Sequence, residues 1–164
     1  AEAGVARAKV IDCQPDPSIA QRAQHRRRRA GVSHENVLCH LELEHRVQFV
    51  GRLDAAGLVH HLARCRAVIF PPFNEDYGFV TVEAYMCGKP VITCTDSGGP
   101  AELVRDGETG FVTAPTAEAL AAAMRKMMDD PNAATRMGEA GLAMATGMTW
   151  SGAVQKLLLQ SPDP

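Results

Sequence analysis

The sequence predicts an α/β domain: a Rossmann-like parallel sheet flanked by helices. Short apolar runs such as Val47–Val50, Ala67–Phe70 and Pro90–Cys94 alternate with longer segments of helical period, the pattern of right-handed βαβ units. Glycine and proline punctuate nearly every junction. The composition agrees: 46% of the 164 residues are apolar but only 5% aromatic, which suits close packing of helices on a sheet by small side chains.

Taken in order, Ala8–Cys13 reads as a short strand broken by Pro15 and Pro17. Ser18 is placed to cap a helix to about Ala30, stopped by Gly31. Arg46–Val50 alternates polar and apolar residues as a strand does, and Gly51 ends it. Ala55–Arg66 carries Leu58, Val59, Leu62 and Ala63 on one side of a helix. Ala67–Phe70 is a buried-type strand halted by Pro71-Pro72. A helix follows from about Gly78 to Cys87, ended by Gly88, and Pro90–Cys94 returns as a strand. Pro100 suits the first turn of a short helix to Val104, and Phe111–Thr113 is the last strand. Ala117–Asp129, Asn132–Ala145 and a segment after Thr149-Trp150 are helical. Met124, Met127, Met128, Met137 and Met144 read as core packing.

Length points to one domain over 1–164, long enough to bury a core without disulfides. The net charge of −2 argues against a nucleic-acid partner. Arg26–Arg29 offers a phosphate patch or, against that neutral background, a solvated helix face. Five cysteines with no CxxC pair read as free thiols of a reducing compartment, hence a cytoplasmic protein. His34, Cys39, His40 and His45 invite a zinc reading, but their spacing fits no common ligand pattern, so no metal is expected. No apolar run approaches the ~18 residues of a membrane span, and the first residues carry no leader pattern.

The chemistry concentrates between Phe70 and Glu102. Ligands of parallel sheets bind beyond the carboxyl ends of the strands, where the loops after Phe70 and Cys94 lie. A helix beginning near Gly78 leaves the amides of Gly78, Phe79 and Val80 without intrahelical partners, a site for a diphosphate. Gly78 lets the phosphate approach because it has no Cβ. Glu83, about a turn and a half along, can accept two hydroxyl hydrogens from a ribose diol, and Glu75 in the preceding loop can reach a sugar hydroxyl. The bland readings stay open: Glu75 and Asp76 only favour the helix dipole, by ~0.3–1 kcal/mol, and Glu83 pairs with Lys89 or faces water.

Residues 46–160 resemble the carboxy-terminal, donor-binding domain of the family 4 (group 1) retaining glycosyltransferases of GT-B fold. The matching pieces, in the family's order, run from Val47–Arg52 through Phe70-Pro71-Pro72 and the pair Glu75 and Glu83. They continue through Gly88–Ile92, Ser97–Glu102, Asp106–Val112 and Thr149-Trp150. The resemblance implies transfer of a hexosyl group from a nucleotide-diphosphate sugar to an acceptor, with retention and with neither metal nor cofactor. It implies that Glu75 is the catalytic carboxylate nearest the reacting carbon, that Glu83 binds the ribose, that Gly78, Phe79 and Val80 hold the diphosphate, and that Gly51 and Arg52 lie against the base. Residues 1–45 match poorly, and the family's opening strand with its Gly-Arg and downstream Lys is not found. The chain is therefore expected to begin inside the domain, to lack the amino-terminal acceptor domain, and to be inactive alone. A GT-B sugar-nucleotide epimerase and a non-catalytic nucleotide-sugar-binding or scaffold module are the alternatives.

Overall fold

The computed structural model describes residues 8–11 and 47–159. The helix expected over 18–30, its arginine run and the histidine-rich stretch 32–45 lie outside the described residues. The chain divides into two compact units, Ala1–Leu58 and Val59–Pro164.

In the first unit, β1 (Ala8–Ile11) pairs in parallel with β2 (Val47–Gly51). Ala8 stands opposite Val47, and the register slips between Val10 and Ile11. Asp54 then opens helix α1 (Ala55–Arg64) as its cap: its Oδ1 accepts from Gly57 N–H at 2.8 Å. Helix α1 runs on into the second unit.

The second unit is built on a three-stranded parallel sheet, β3 (Val68–Ile69), β4 (Val91–Cys94) and β5 (Gly110–Thr113), in sequence order. Helices α2 (Phe79–Met86) and α3 (Gly99–Leu103) make the two crossovers, and α4 (Ala117–Asp129), α5 (Pro131–Thr146) and α6 (Trp150–Leu159) follow. The expected parallel α/β architecture is thus observed. Helix α2 ends as a Schellman motif, with Gly88 N–H donating to Tyr85 O (2.8 Å) and Lys89 N–H to Ala84 O (2.9 Å). Asp130 closes α4 and opens α5, its Oδ1 accepting from Ala133 N–H at 2.8 Å ahead of the N1 proline.

Strand β4 is buried along its whole length, as a central strand covered on both faces must be. Its alternating side chains feed two clusters. Val91 packs with Ala84, Tyr85, Val104 and Ala145, beneath α2. Ile92 packs with Ala123, Met127 and Ala134, beneath α4 and α5. Only part of the expected methionine core forms. Met127 is buried and Met137 and Met144 are half-buried, whereas Met124 and Met128 reach the surface at 38% and 45% exposure. They lie off the stripe on which α4 meets the sheet, so helical phase overrides hydrophobicity there.

Two close contacts fix the sheet. A Cβ at Gly110 would overlap the Val91 carbonyl on the neighbouring strand. Beside it, the buried Tyr85 hydroxyl bonds Thr109 Oγ1 at 2.7 Å, and the same oxygen accepts from Arg105 N–H at 2.9 Å. Burial raises the Tyr85 pKa above its ordinary value, outweighing the bond to Thr109 and the charge of Arg105. Gly110→Ala is expected to cost about 2–3 kcal/mol by overpacking, because backbone rather than a flexible side chain blocks the methyl. Tyr85→Phe keeps the ring and loses one bond, a cost of about 1 kcal/mol. Urea unfolding of both variants checks the order, which equal losses would contradict.

Candidate functional site

The pairing of β3 with β4 does not stop where the regular strands end. Phe70 N–H still donates to Ile92 O (2.9 Å). After Pro71–Phe73, Asn74 N–H donates to Asp96 O (2.9 Å), Glu75 N–H to Ser97 O (3.1 Å) and Gly99 N–H to Glu75 O (2.8 Å). Glu75 and Gly98 thereby form an isolated parallel bridge that ties the two loops at the sheet's carboxyl edge. Ser97 is buried, and its Oγ accepts from Cys94 N–H at 3.2 Å. A Cβ at Gly98 would lie 2.5 Å from the Glu75 carbonyl oxygen, so the bridge needs glycine there.

From this strut the chain enters α2 through Gly78, which is buried and left-handed (φ 78°, ψ 59°). The expected reason for that glycine, room for a phosphate, is not the one the structure supplies. Its backbone lies where side chains are strained, and a Cβ would strike the Pro100 ring. No side chain caps α2, and neither Glu75 nor Asp76 performs that service. Thr81 N–H is satisfied by Gly78 O at 2.9 Å. The N–H groups of Gly78, Phe79 and Val80 make no hydrogen bond among the described residues. The helix therefore opens with three free donors and the positive end of its dipole. One turn in, the Thr81 hydroxyl is fully buried and has no partner among the described residues.

Along α2, Thr81, Ala84 and Tyr85 are buried. The opposite stripe carries Phe79 (70% exposed), Glu83 and Met86 (55% exposed). Glu83 thus stands one turn beyond Phe79 on the solvent face. It forms no ion pair among the described residues, so the alternative pairing with Lys89 is not made. Glu75 also presents an exposed side chain, and Val80 is half-buried. Tyr77 and Phe79 set their rings 4.9 Å apart beside the helix entrance.

The structure thus gathers Glu75, Gly78, Phe79, Val80 and Glu83 around one helix entrance in the second unit. Gly51, left-handed at the end of β2, and Arg52 after it are exposed and belong to the first unit. The strut through Asp96–Gly99 was not singled out by side-chain chemistry, because it works through backbone bonds; the Ser-Gly-Gly-Pro run was its signal. Among the described residues no group of His, Cys, Asp and Glu is placed to hold a metal ion, and no helix is long and apolar enough to cross a membrane.

Known proteins resemble this chain in sequence and in fold. The chain is 42% identical over 102 residues to the glycogen synthase of Mycobacterium tuberculosis, covering 59% of this chain and 24% of that protein. Sucrose-phosphate synthase from Thermosynechococcus elongatus superposes on 92% of this chain and 37% of its own, at a TM-score of 0.74 and 30% identity. Anabaena HepE in complex with UDP superposes on 95% of this chain and 40% of its own, at a TM-score of 0.67 and 25% identity. The chain spans about a quarter of the length of the curated relatives it matches. The family described as glycosyl transferases group 1 matches residues 34–144, more than half of the sequence, and the chain belongs to that family.

Proposed function

We propose that this chain is the donor-binding half of a retaining, metal-independent glycosyltransferase that moves a hexosyl group from a nucleoside-diphosphate sugar to an acceptor. The observation that carries the proposal is the uncapped entrance of α2, with three unbonded amides and a carboxylate on either side. Anabaena HepE, of the same fold, holds UDP in one crystal and UDP-glucose in another, which supports this class of donor. The family is one of glycosyl transferases, and no specific observation favours an epimerase or a non-catalytic scaffold.

The chemistry follows from the placement. The diphosphate sits on the amides of Gly78, Phe79 and Val80, and Glu83 accepts the two ribose hydroxyls. Glu75, on its bridged loop, accepts from the sugar hydroxyls nearest the reacting carbon. As the bond from sugar to diphosphate breaks, negative charge grows on the leaving oxygen. Preorganised amides receive that charge without reorganising, so the step needs neither metal nor cofactor. The acceptor is held by a partner domain, in the family's manner, and this chain alone turns nothing over. Cys65, Cys87 and Cys94 are free thiols, which suits a cytoplasmic setting.

Calorimetric titration with UDP, GDP and ADP tests the reading, and binding of at least one is expected. Silence from all three in a folded sample would overturn it. Glu83→Ala is expected to weaken that binding by ~1–3 kcal/mol through loss of two hydroxyl bonds; an unchanged affinity removes Glu83 from the ribose. Chelation with EDTA is expected to leave donor affinity where it was, and a loss of binding would refute metal independence.

A further inference from the structure

The second unit has a cavity at the opposite edge of its sheet. It is about 330 Å³ and is formed where the chain enters β3 and β4. Arg64 and Arg66 come from the end of α1 and the turn before β3, and Lys89 from the turn before β4. Thr135 and Ala134 close it from α5. The residues discussed above follow the carboxyl ends of these strands, whereas these precede the amino ends. The cavity therefore shares nothing with the donor site.

Its charge is one-sided. No acidic residue lines it, and none of Arg64, Arg66 and Lys89 takes part in an ion pair among the described residues. The nearest acid in the sequence, Asp130, is engaged elsewhere. It caps α5 at Ala133 N–H and lies 3.9 Å from Arg136. Lys89 is half-buried and lines the cavity together with Cys65. Burial pushes the Cys65 thiol up, and the charge of Lys89 is the largest influence pulling it back. The floor is firm, since α5 packs so closely on the Gly88–Lys89 turn that a Cβ at Gly138 would overlap the Gly88 carbonyl. Three cations that line one concave surface without an ion pair among the described residues, Arg64 and Arg66 exposed and Lys89 half-buried, favour an anion there. Two guanidiniums and an ammonium suit the several oxygens of one phosphate group better than a single carboxylate.

We propose that this cavity is a second, phosphate-class anion site, at the sheet edge opposite the donor entrance and built by Arg64, Arg66 and Lys89. The phosphate belongs either to a soluble metabolite or to a lipid headgroup, and the chemistry of recognition is the same.

Inorganic phosphate is titrated into the ¹⁵N-labelled chain while amide shifts are followed, with sodium chloride of equal ionic strength as control to remove simple screening. The amides of Gly88, Lys89 and Thr135 are expected to move with phosphate and not with chloride. Arg66→Glu, an exposed position, is expected to weaken the response about tenfold, with the fold checked by circular dichroism. Lys89→Ala serves as the second variant. Binding of UDP at the donor entrance should be unaffected in both, so failure of this site and failure of the donor reading are separable. Phosphatidylcholine vesicles with and without phosphatidylglycerol distinguish the sources. Phosphate-dependent shifts without sedimentation support a soluble ligand, and sedimentation lost in Arg66→Glu supports a headgroup. Shifts that match the chloride control together with no sedimentation would overturn the proposal, as would a response that both variants retain in full.

Discussion

The site depends on one constraint: the loops after β3 and β4 are paired through their backbones. Asn74 and Glu75 bond Asp96 and Ser97, and Gly99 bonds back to Glu75. These bonds hold Glu75 at a fixed height above the sheet edge although the loop has no regular structure. The same arrangement brings Pro100 against Gly78 and so sets the angle at which α2 begins. Shifting either loop by one residue would break three backbone bonds and drive Pro100 into the helix entrance. A carboxylate on an ordinary exposed loop would sample many positions. Here the backbone that carries it is held like a strand, the rigidity a binding group needs if little entropy is to be lost when ligand arrives.

Helix α2 is held just as firmly from behind. Its buried face offers Ala84 and Tyr85, and α5 approaches through small residues: a Cβ at Gly141 would overlap the Tyr85 ring. Large residues there would lift α2 from the sheet and carry Glu83 with it. Tyr85 also reaches Thr109, which in turn accepts from Arg105 N–H. The turn before β5, the rear of α2 and the centre of α5 thus form one packed body. The outward stripe of α2, from Phe79 through Glu83 to Met86, is exposed, with the Tyr77 ring set against Phe79. One face of this helix is packed, and the other is the face to which the proposed function assigns the ligand.

Much of this was legible in the sequence because local signals and tertiary packing agree. The strand from Val91 to Cys94, the stop at Gly88 and the helix from Ala117 to Asp129 each carry their own period and punctuation. The two free carboxylates could be read from spacing, since a helix starting near Gly78 puts Glu83 one turn beyond Phe79. The role of Gly78 could not. A glycine in a sequence says that space or a left-handed turn is needed, but not whether ligand or protein fills the space; here Pro100, 22 residues on, does so. Met124 and Met128 were misassigned for a related reason. Hydrophobicity proposes a core face, but which methionines share it depends on the phase at which the helix meets the sheet. The bridge between the loops was the least legible part, since backbone hydrogen bonds leave only faint marks on side-chain identity.

If the entrance of α2 holds a diphosphate as proposed, the two carboxylates beside it would also make it selective. Three amides and a short helix dipole attract any phosphate, but Glu75 and Glu83 add two formal negative charges beside a site that carries only partial positive ones. Free pyrophosphate therefore meets repulsion that its amide bonds only partly offset. A diphosphate flanked by hydroxyl-bearing rings meets the same charges as hydrogen-bond acceptors, and each carboxylate that takes a ring hydroxyl changes from a penalty into an anchor. On that reading the pair of acids would work by exclusion as much as by attachment, since a ligand lacking either ring would leave one carboxylate unbonded beside its phosphates. On the same reading, that difference between bound ring and bare anion would account for acids beside the amides and for a tightly held backbone around Glu75. A looser loop would let the carboxylate swing away from a bare phosphate, and the discrimination would be lost.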